Sequence, residues 1–235
     1  MSDELNAVLA DTGPILLDFD GPVTTLLPPG PNLRLADATR APLQQAGIEL
    51  SESIATTSDH LAVVRYAANQ APIVLAAVEQ IALAGETEAG RNAVPTPGAA
   101  EFLTACQLAG RTVVIVSNNA AAAIQTYLEQ HDLVGKVASV LGRPPGNPAL
   151  MKPDPELVVR ALAIVKRQPR DCVMIGDSVT DIEVSKSVGV RSIGYAKSSA
   201  RGVELKRAGA DAITDNMAAI AAGIQGQRSP QITAE

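Results

Sequence analysis

Aromatic side chains are scarce in this chain: they make up 2% of it, with no Trp, 2 Phe and 3 Tyr. Proteins that bind bases or single strands by stacking need such rings in rows, so that class is excluded. Only 2 cysteines occur, Cys106 and Cys172, with no CxxC or His spacing around them. They read as reduced core residues of a cytoplasmic protein, not as a disulfide or a zinc site. No apolar run reaches the length of a membrane span, so no membrane partner is expected. No basic run occurs either, and a net charge of −6 argues against nucleic acid. The opening "MSDELNAVLADTG" carries acids where a signal peptide carries a basic region, so no secretory leader is read there.

What is present suits a folded soluble protein: 46% hydrophobic residues and 19% charged ones. Short apolar runs recur at 15–19, 112–116, 137–141, 172–175 and 191–195, with a weaker one at 211–214. Each is bounded by turn residues, as in strands buried on both faces. Helical spacing fills the intervals at 98–109, 120–131 and 155–166. Strands alternating with helices of this length predict an α/β fold: a Rossmann-like parallel sheet with helices on both faces.

Residues 22–95 break that rhythm. They open on the loop signal "LLPPGPN", hold helical patterns without a strand, and close on "VPTPG". Asn32, Ser51 and Ser58 are candidate N-caps, and Pro72 suits a first helical turn. The reading is a small all-helical module inserted after the first strand. The core then comprises 1–21 and 96–224, and the polar stretch 225–235 is a flexible tail.

The chemistry collects where strands end. Asp18 and Asp20 follow the first strand. Ser117, Asn118 and Asn119 follow "TVVIV". Lys152 stands in "MKPDP". Asp177 and Asp181 stand in "GDSVTD" after "CVMI". In a parallel α/β sheet these carboxyl ends face one crevice. Each piece also has an ordinary structural reading. Asp-x-Asp can be a turn, Ser117 a helix cap, Lys152 a solvated charge. Thr180 and Glu183 have capping-box spacing. Taken together, clustered acids, a lysine and a helix N-terminus suit a hard cation and an anionic group, and Mg²⁺ with a phosphoryl group fits best. One aspartate can then attack phosphorus and the other can move the proton.

These motifs resemble those of the haloacid dehalogenase-like superfamily, in order and spacing over residues 14–220. "DFDG", the serine of "VVIVSN", the lysine of "MKPDPE" and "GDSVTD" are similar to its four motifs, and "PTPGAAEFL" and "LKRAGADAITD" also look familiar. The resemblance implies Asp18 as nucleophile and Mg²⁺ ligand. It implies Asp20 as general acid/base whose backbone carbonyl binds the metal. Ser117 and Asn118 would bind phosphate. Lys152 would neutralise Asp18 and the phosphoryl oxygens. Asp177 would bind Mg²⁺, supported by Asp181 directly or through water. The insert implies a helical cap of the C1 type that closes over the site.

Pro22 departs from the family pattern, which often has Thr there. The departure removes an N–H and a hydroxyl, and Thr24 is the candidate replacement. Enzymes of the family that cleave halide lack an acid at the position of Asp20, so Asp20 favours oxygen leaving groups. The expected activity is a Mg²⁺-dependent phosphatase for a small phosphorylated metabolite, nearest by pattern to phosphoglycolate phosphatases, as monomer or homodimer. A phosphomutase of the same fold and a non-catalytic phosphate-binding regulator are the alternatives. A receiver domain is excluded by the chain order. In the insert, His60, Arg65, Tyr66 and Arg91 are candidate substrate contacts. His131 reads as a helix end, and Tyr195 and Lys197 as rim residues.

Overall fold

The apolar runs form strands because each can be buried on both sides at once. The computed structural model describes residues 2–226. The strands are β1 (Ile15–Leu17), β2 (Val113–Val116), β3 (Ser139–Leu141), β4 (Val173–Gly176), β5 (Arg191–Tyr195) and β6 (Ala212–Thr214). The helices are α1 (Asp3–Ala10), α2 (Pro29–Gln45), α3 (Glu52–Thr56), α4 (His60–Gln70), α5 (Leu75–Asn92) and α6 (Ala99–Leu108). They continue with α7 (Ala121–Gln130), α8 (Glu156–Val165), α9 (Val179–Val188), α10 (Ser199–Ala208) and α11 (Met217–Gly226). All strand pairs are parallel, in the order β3-β2-β1-β4-β5-β6.

Strand alternation divides the core in two. Ile15, Leu17, Val113, Ile115, Val173 and Ile175 join helices α1, α6, α7 and α11 on one face. Leu16, Val114, Val116 and Met174 join α8 and Val184 of α9 on the other. The order places β1 between β2 and β4. Chain direction across the sheet reverses there, which makes the carboxyl end of β1 a ligand crevice by topology.

Helices α2–α5 occupy the interval between β1 and α6 and have a core of their own around Leu43, Val63, Val64, Leu75 and Val78. The two linkers of this insert run beside each other. Thr24 bridges Asp20 and Pro95, and Thr96 N–H donates to Val23 O at 2.9 Å. Helix α5 also seats on the core. A methyl at Gly90 would meet the Ala123 carbonyl oxygen at 2.7 Å, so the two helices touch where glycine leaves no side chain between them.

Several local expectations are corrected. Asn32 lies inside α2, whose cap position is Pro28, and α4 is capped by Asp59, not Ser58. Ser51 holds the cap position of α3 without a capping bond. Pro72 opens a 3-10 turn, and α5 begins after it. The capping box of α9 is Ser178 with Asp181, not Thr180 with Glu183. Of the stretch read as a tail, Gln225 and Gly226 belong to α11, and 227–235 lie outside the described residues.

Candidate active site

Asp18 leaves β1 with its backbone N–H on Ile175 O at 2.8 Å, so the sheet ladder itself aims it. Phe19 turns to the other side and is buried against Tyr127, the rings 5.1 Å apart and edge-on. Asp20 is back on the site side, its Oδ1 accepting from Leu26 N–H at 3.1 Å. Period-two alternation therefore separates two acids from the aromatic between them.

Lys152 is buried, and its ammonium has three acceptors: Asp18 Oδ1 at 2.9 Å, Asp181 Oδ1 at 2.6 Å and Val116 O at 2.8 Å. Asn118 holds the lysine's backbone from both sides, accepting from Lys152 N–H at 2.8 Å and donating to Lys152 O at 3.1 Å. Arg65 of α4 donates to the same carbonyl at 3.1 Å. Ser117 Oγ accepts from Asn119 N–H at 3.3 Å and donates to Asn119 Oδ1 at 3.2 Å.

Asp181 is buried and committed. Besides Lys152 it accepts from Ser178 N–H at 3.1 Å and Ser178 Oγ at 2.7 Å. It packs under Gly176, where a Cβ would stand 2.3 Å from Asp181 Oδ2.

Asp18, Asp177 and Asp181 each offer a carboxylate oxygen within 4.8 Å of the others. Burial raises Asp18 well above the carboxylate range, and the charge of Asp181 adds to the rise. Burial, again with Asp181, pushes Asp177 up to about 7. Burial also raises Asp20. Burial opposes the charge of Lys152, but Asp18 and Asp181 outweigh it and hold the ammonium raised. Three carboxylates gather around the ammonium of Lys152, with the Lys197 ammonium 3.8 Å from Asp177 Oδ2, so acids outnumber cations in the cluster. Hard oxygens carrying that excess fit a divalent cation, which would relieve the repulsion that raises the acids.

One cavity of about 450 Å³ unites the segments. It is lined by Asp18, Asp20, Ser117, Asn118, Lys152 and Asp177 from the core and by His60 and Arg65 from the insert. Asp181 stands behind Lys152 and outside this lining. A larger cavity of about 900 Å³ lies beside the linkers and shares Thr25, Leu27 and Lys197 with the first. It holds none of the clustered acids, so size does not mark the chemistry here.

Other candidates fall elsewhere. Tyr66 donates to Glu49 O and Arg91 pairs with Glu88, and neither lines the acid cavity. His131 caps the end of α7 beside Tyr127 and Ala93 O. Tyr195 lines the larger cavity. Lys197 lines both, 3.0 Å from Thr25 Oγ1 and 3.8 Å from Asp177 Oδ2. Thr24 does not replace the missing hydroxyl. It is buried and donates to Val94 O at 2.7 Å, whereas Thr25 lines the cavity. Glu86 and Arg143 escaped the sequence reading. Their signal was present in Glu86, an acid on the stripe of α5 that also carries Leu75, Val78, Ala82 and Gly90.

Comparison with known proteins defines the class. A family model for haloacid dehalogenase-like hydrolases matches residues 15–189, and the chain belongs to that family. Within it, the chain is 28% identical over 122 residues to the phosphoglycolate phosphatase of Vibrio vulnificus, 52% of this chain and 53% of that protein. The chain thus matches about half the length of that relative. It is 27% identical over 185 residues to the phosphoglycolate phosphatase of Xylella fastidiosa, 76% of this chain and 78% of that one. The fold matches CbbY from Rhodobacter sphaeroides, solved in complex with phosphate, with a TM-score of 0.68 at 18% identity over 91% of this chain and 99% of that one. No described helix is long and apolar enough to cross a membrane.

Proposed function

We propose that this chain is a Mg²⁺-dependent phosphatase that hydrolyses a small phosphate monoester through an aspartyl phosphate on Asp18. The observation that carries the reading is Asp18 at the carboxyl end of β1, ion-paired to a buried lysine and two residues from a second acid in the same cavity. Curated relatives named as phosphoglycolate phosphatases support it.

Asp18 Oδ1 accepts from Lys152 and from Phe19 N–H, at 2.9 and 2.8 Å, which fixes the carboxylate and leaves Oδ2 to attack phosphorus. The P–O bond to the leaving group breaks as the bond to Oδ2 forms. Asp20, its pKa raised by burial, gives its proton to the leaving oxygen. The same carboxylate then takes a proton from water, which attacks phosphorus, frees Asp18 and yields inorganic phosphate. Ser117 and Asn118 bind the phosphoryl oxygens, and Lys152 favours the ionised form of Asp18 against its burial and offsets developing charge. Asp18, Asp177 and the backbone carbonyl of Asp20 would hold Mg²⁺, with Asp181 as support. When bound, Mg²⁺ supplies charge neutralisation and orients the phosphoryl group. Helices α2–α5 act as the cap, and His60 and Arg65 present its face to the substrate. A cavity of about 450 Å³ suits a small leaving group.

The test is phosphate release from p-nitrophenyl phosphate and from a panel of phosphorylated metabolites that includes phosphoglycolate, with a parallel product assay for isomerisation. Mg²⁺-dependent release is expected. Isomerisation without release would replace the reading with the mutase one, and the absence of both would favour a non-catalytic protein.

A further inference from the structure

Glu86 stands outside the acid cavity, fully buried on the apolar stripe of α5. A carboxylate there needs compensation, because a charge taken out of water is costly unless it is paired and hydrogen-bonded. Glu86 has it from three directions. Its Oε1 lies 2.8 Å from His60 Nε2 and 2.7 Å from Arg143 Nη1. Its Oε2 accepts from Ala120 N–H at 2.7 Å and lies 3.3 Å from Arg143 Nη2. Burial would raise its pKa, but His60 and Arg143 outweigh burial and hold it below the ordinary value.

Each partner leads to the acid cavity. His60 lines it, and its Nδ1 lies 3.0 Å from Oδ1 of Asn32, which lines it too. Arg143 Nη1 donates to Asn118 O at 2.9 Å, and Arg143 N–H to Asn119 O at 2.9 Å. Asn118 in turn clasps the backbone of Lys152. Ala120 is the cap position of α7 and makes no side-chain capping bond, so the insert supplies that cap across the interface. Gly90, one turn on, lets α5 approach α7 closely enough for it.

We propose that Glu86 is a positioning residue for phosphoryl transfer: its carboxylate sets the helical insert in register with the core and, through Arg143 and the start of α7, holds the Ser117–Asn118 loop and Lys152 in place. The proposal rests on the phosphatase reading of the site. Glu86 touches no reacting atom. Its effect reaches Lys152 through Asn118, so its loss changes kcat more than KM.

Glu86→Gln keeps the shape and removes the charge. The expected result is a folded variant whose kcat for p-nitrophenyl phosphate falls about 10²-fold, the size of loss that a roughly 1 Å misplacement causes. Its KM should shift much less, and backbone amides over 117–121 should exchange hydrogen faster. Arg143→Gln should do the same, and the double variant should be little worse than either, because both act on one contact. Wild-type kcat and wild-type exchange in a folded Glu86→Gln would overturn the proposal. If that variant does not fold, Arg143→Lys decides: it keeps a cation for Glu86 but loses the fork on Glu86 that lets Nη1 also donate to Asn118 O, so unchanged kcat and exchange would overturn the proposal equally. A wild-type protein without turnover would instead strike the phosphatase reading, while the exchange contrast between wild type and Glu86→Gln still judges Glu86.

Discussion

A Cβ placed on Gly21 would stand 2.3 Å from Oδ2 of Asp177. The two residues lie on different strand ends, and Gly21 has φ +114°, a conformation that side chains rarely adopt. Position 21 therefore sets how far Asp177 reaches into the acid cluster. Gly21→Ala should displace the Asp177 carboxylate and strain the backbone together. A weakened Mg²⁺ affinity by calorimetric titration is expected, with kcat/KM down by about 10²-fold or more. Unchanged Mg²⁺ binding would show that Asp177 has room to spare.

Asp18→Asn should abolish phosphate release, and excess EDTA should do the same to the wild type. Asp20→Asn should leave a slower enzyme, down by about 10²–10⁴-fold, the usual worth of a general acid/base. Single-turnover kinetics separate the two. Equal activity in Asp18→Asn would remove the covalent route, and a wild-type rate in Asp20→Asn would move the proton to another group.

Stability should depend on pH with a definite sign in metal-free protein. Asp18 and Asp177 are raised in the fold, Asp177 from 3.8 to about 7. A raised acid binds its proton more tightly when folded, so its contribution is favourable at low pH and is lost as pH climbs from the unfolded value through the folded one. Glu86 is lowered and acts the opposite way, but only around and below the ordinary glutamate value of 4.5. The melting temperature without metal should therefore fall between pH 5 and 8, and Mg²⁺ should restore more of it at pH 8 than at pH 6. Asp177→Asn should flatten the slope. A metal-free melting temperature that rises over this interval would contradict the assignment of those two acids.

Lys152→Met should destabilise the fold as well as stop turnover. It leaves Asp18 and Asp181 buried without their shared cation, a loss of about 3–5 kcal/mol for a broken buried pair. Adding Asp18→Asn should recover part of that loss in urea unfolding. No recovery would mean that Asp181 carries the whole penalty.

How much of this was legible in the sequence depended on whether a signal was local. Strands buried on both faces, such as Val113–Val116, announce themselves as apolar runs between turn residues. The acids, serine and lysine that follow them can be placed by topology alone. Caps are ambiguous in sequence where two nearby residues compete. Ser178 and Asp181 won over Thr180 and Glu183 because Asp181 also reaches Lys152, a partner remote in sequence. Thr24 and Thr25 differ only in which way the linker turns, and that is set by pairing with Pro95. Helix α1 gives little periodic signal, because its 8 residues present only Leu5, Val8 and Leu9 as a buried stripe. Glu86 shows the limit most directly: an acid on an apolar stripe signals a buried partner, but nothing in the sequence names Arg143 or the N–H of Ala120 as that partner.

The placing of β1 between β2 and β4 has a consequence for how the chain acquires function. Ile15 pairs with Val113 on one side and Val173 on the other, so Asp18 is aimed only after segments far apart in sequence have closed on it. Such non-local pairing is slow relative to helix formation. During refolding, helical signal should return well before turnover does. The working site then serves as a clock for the last step of folding.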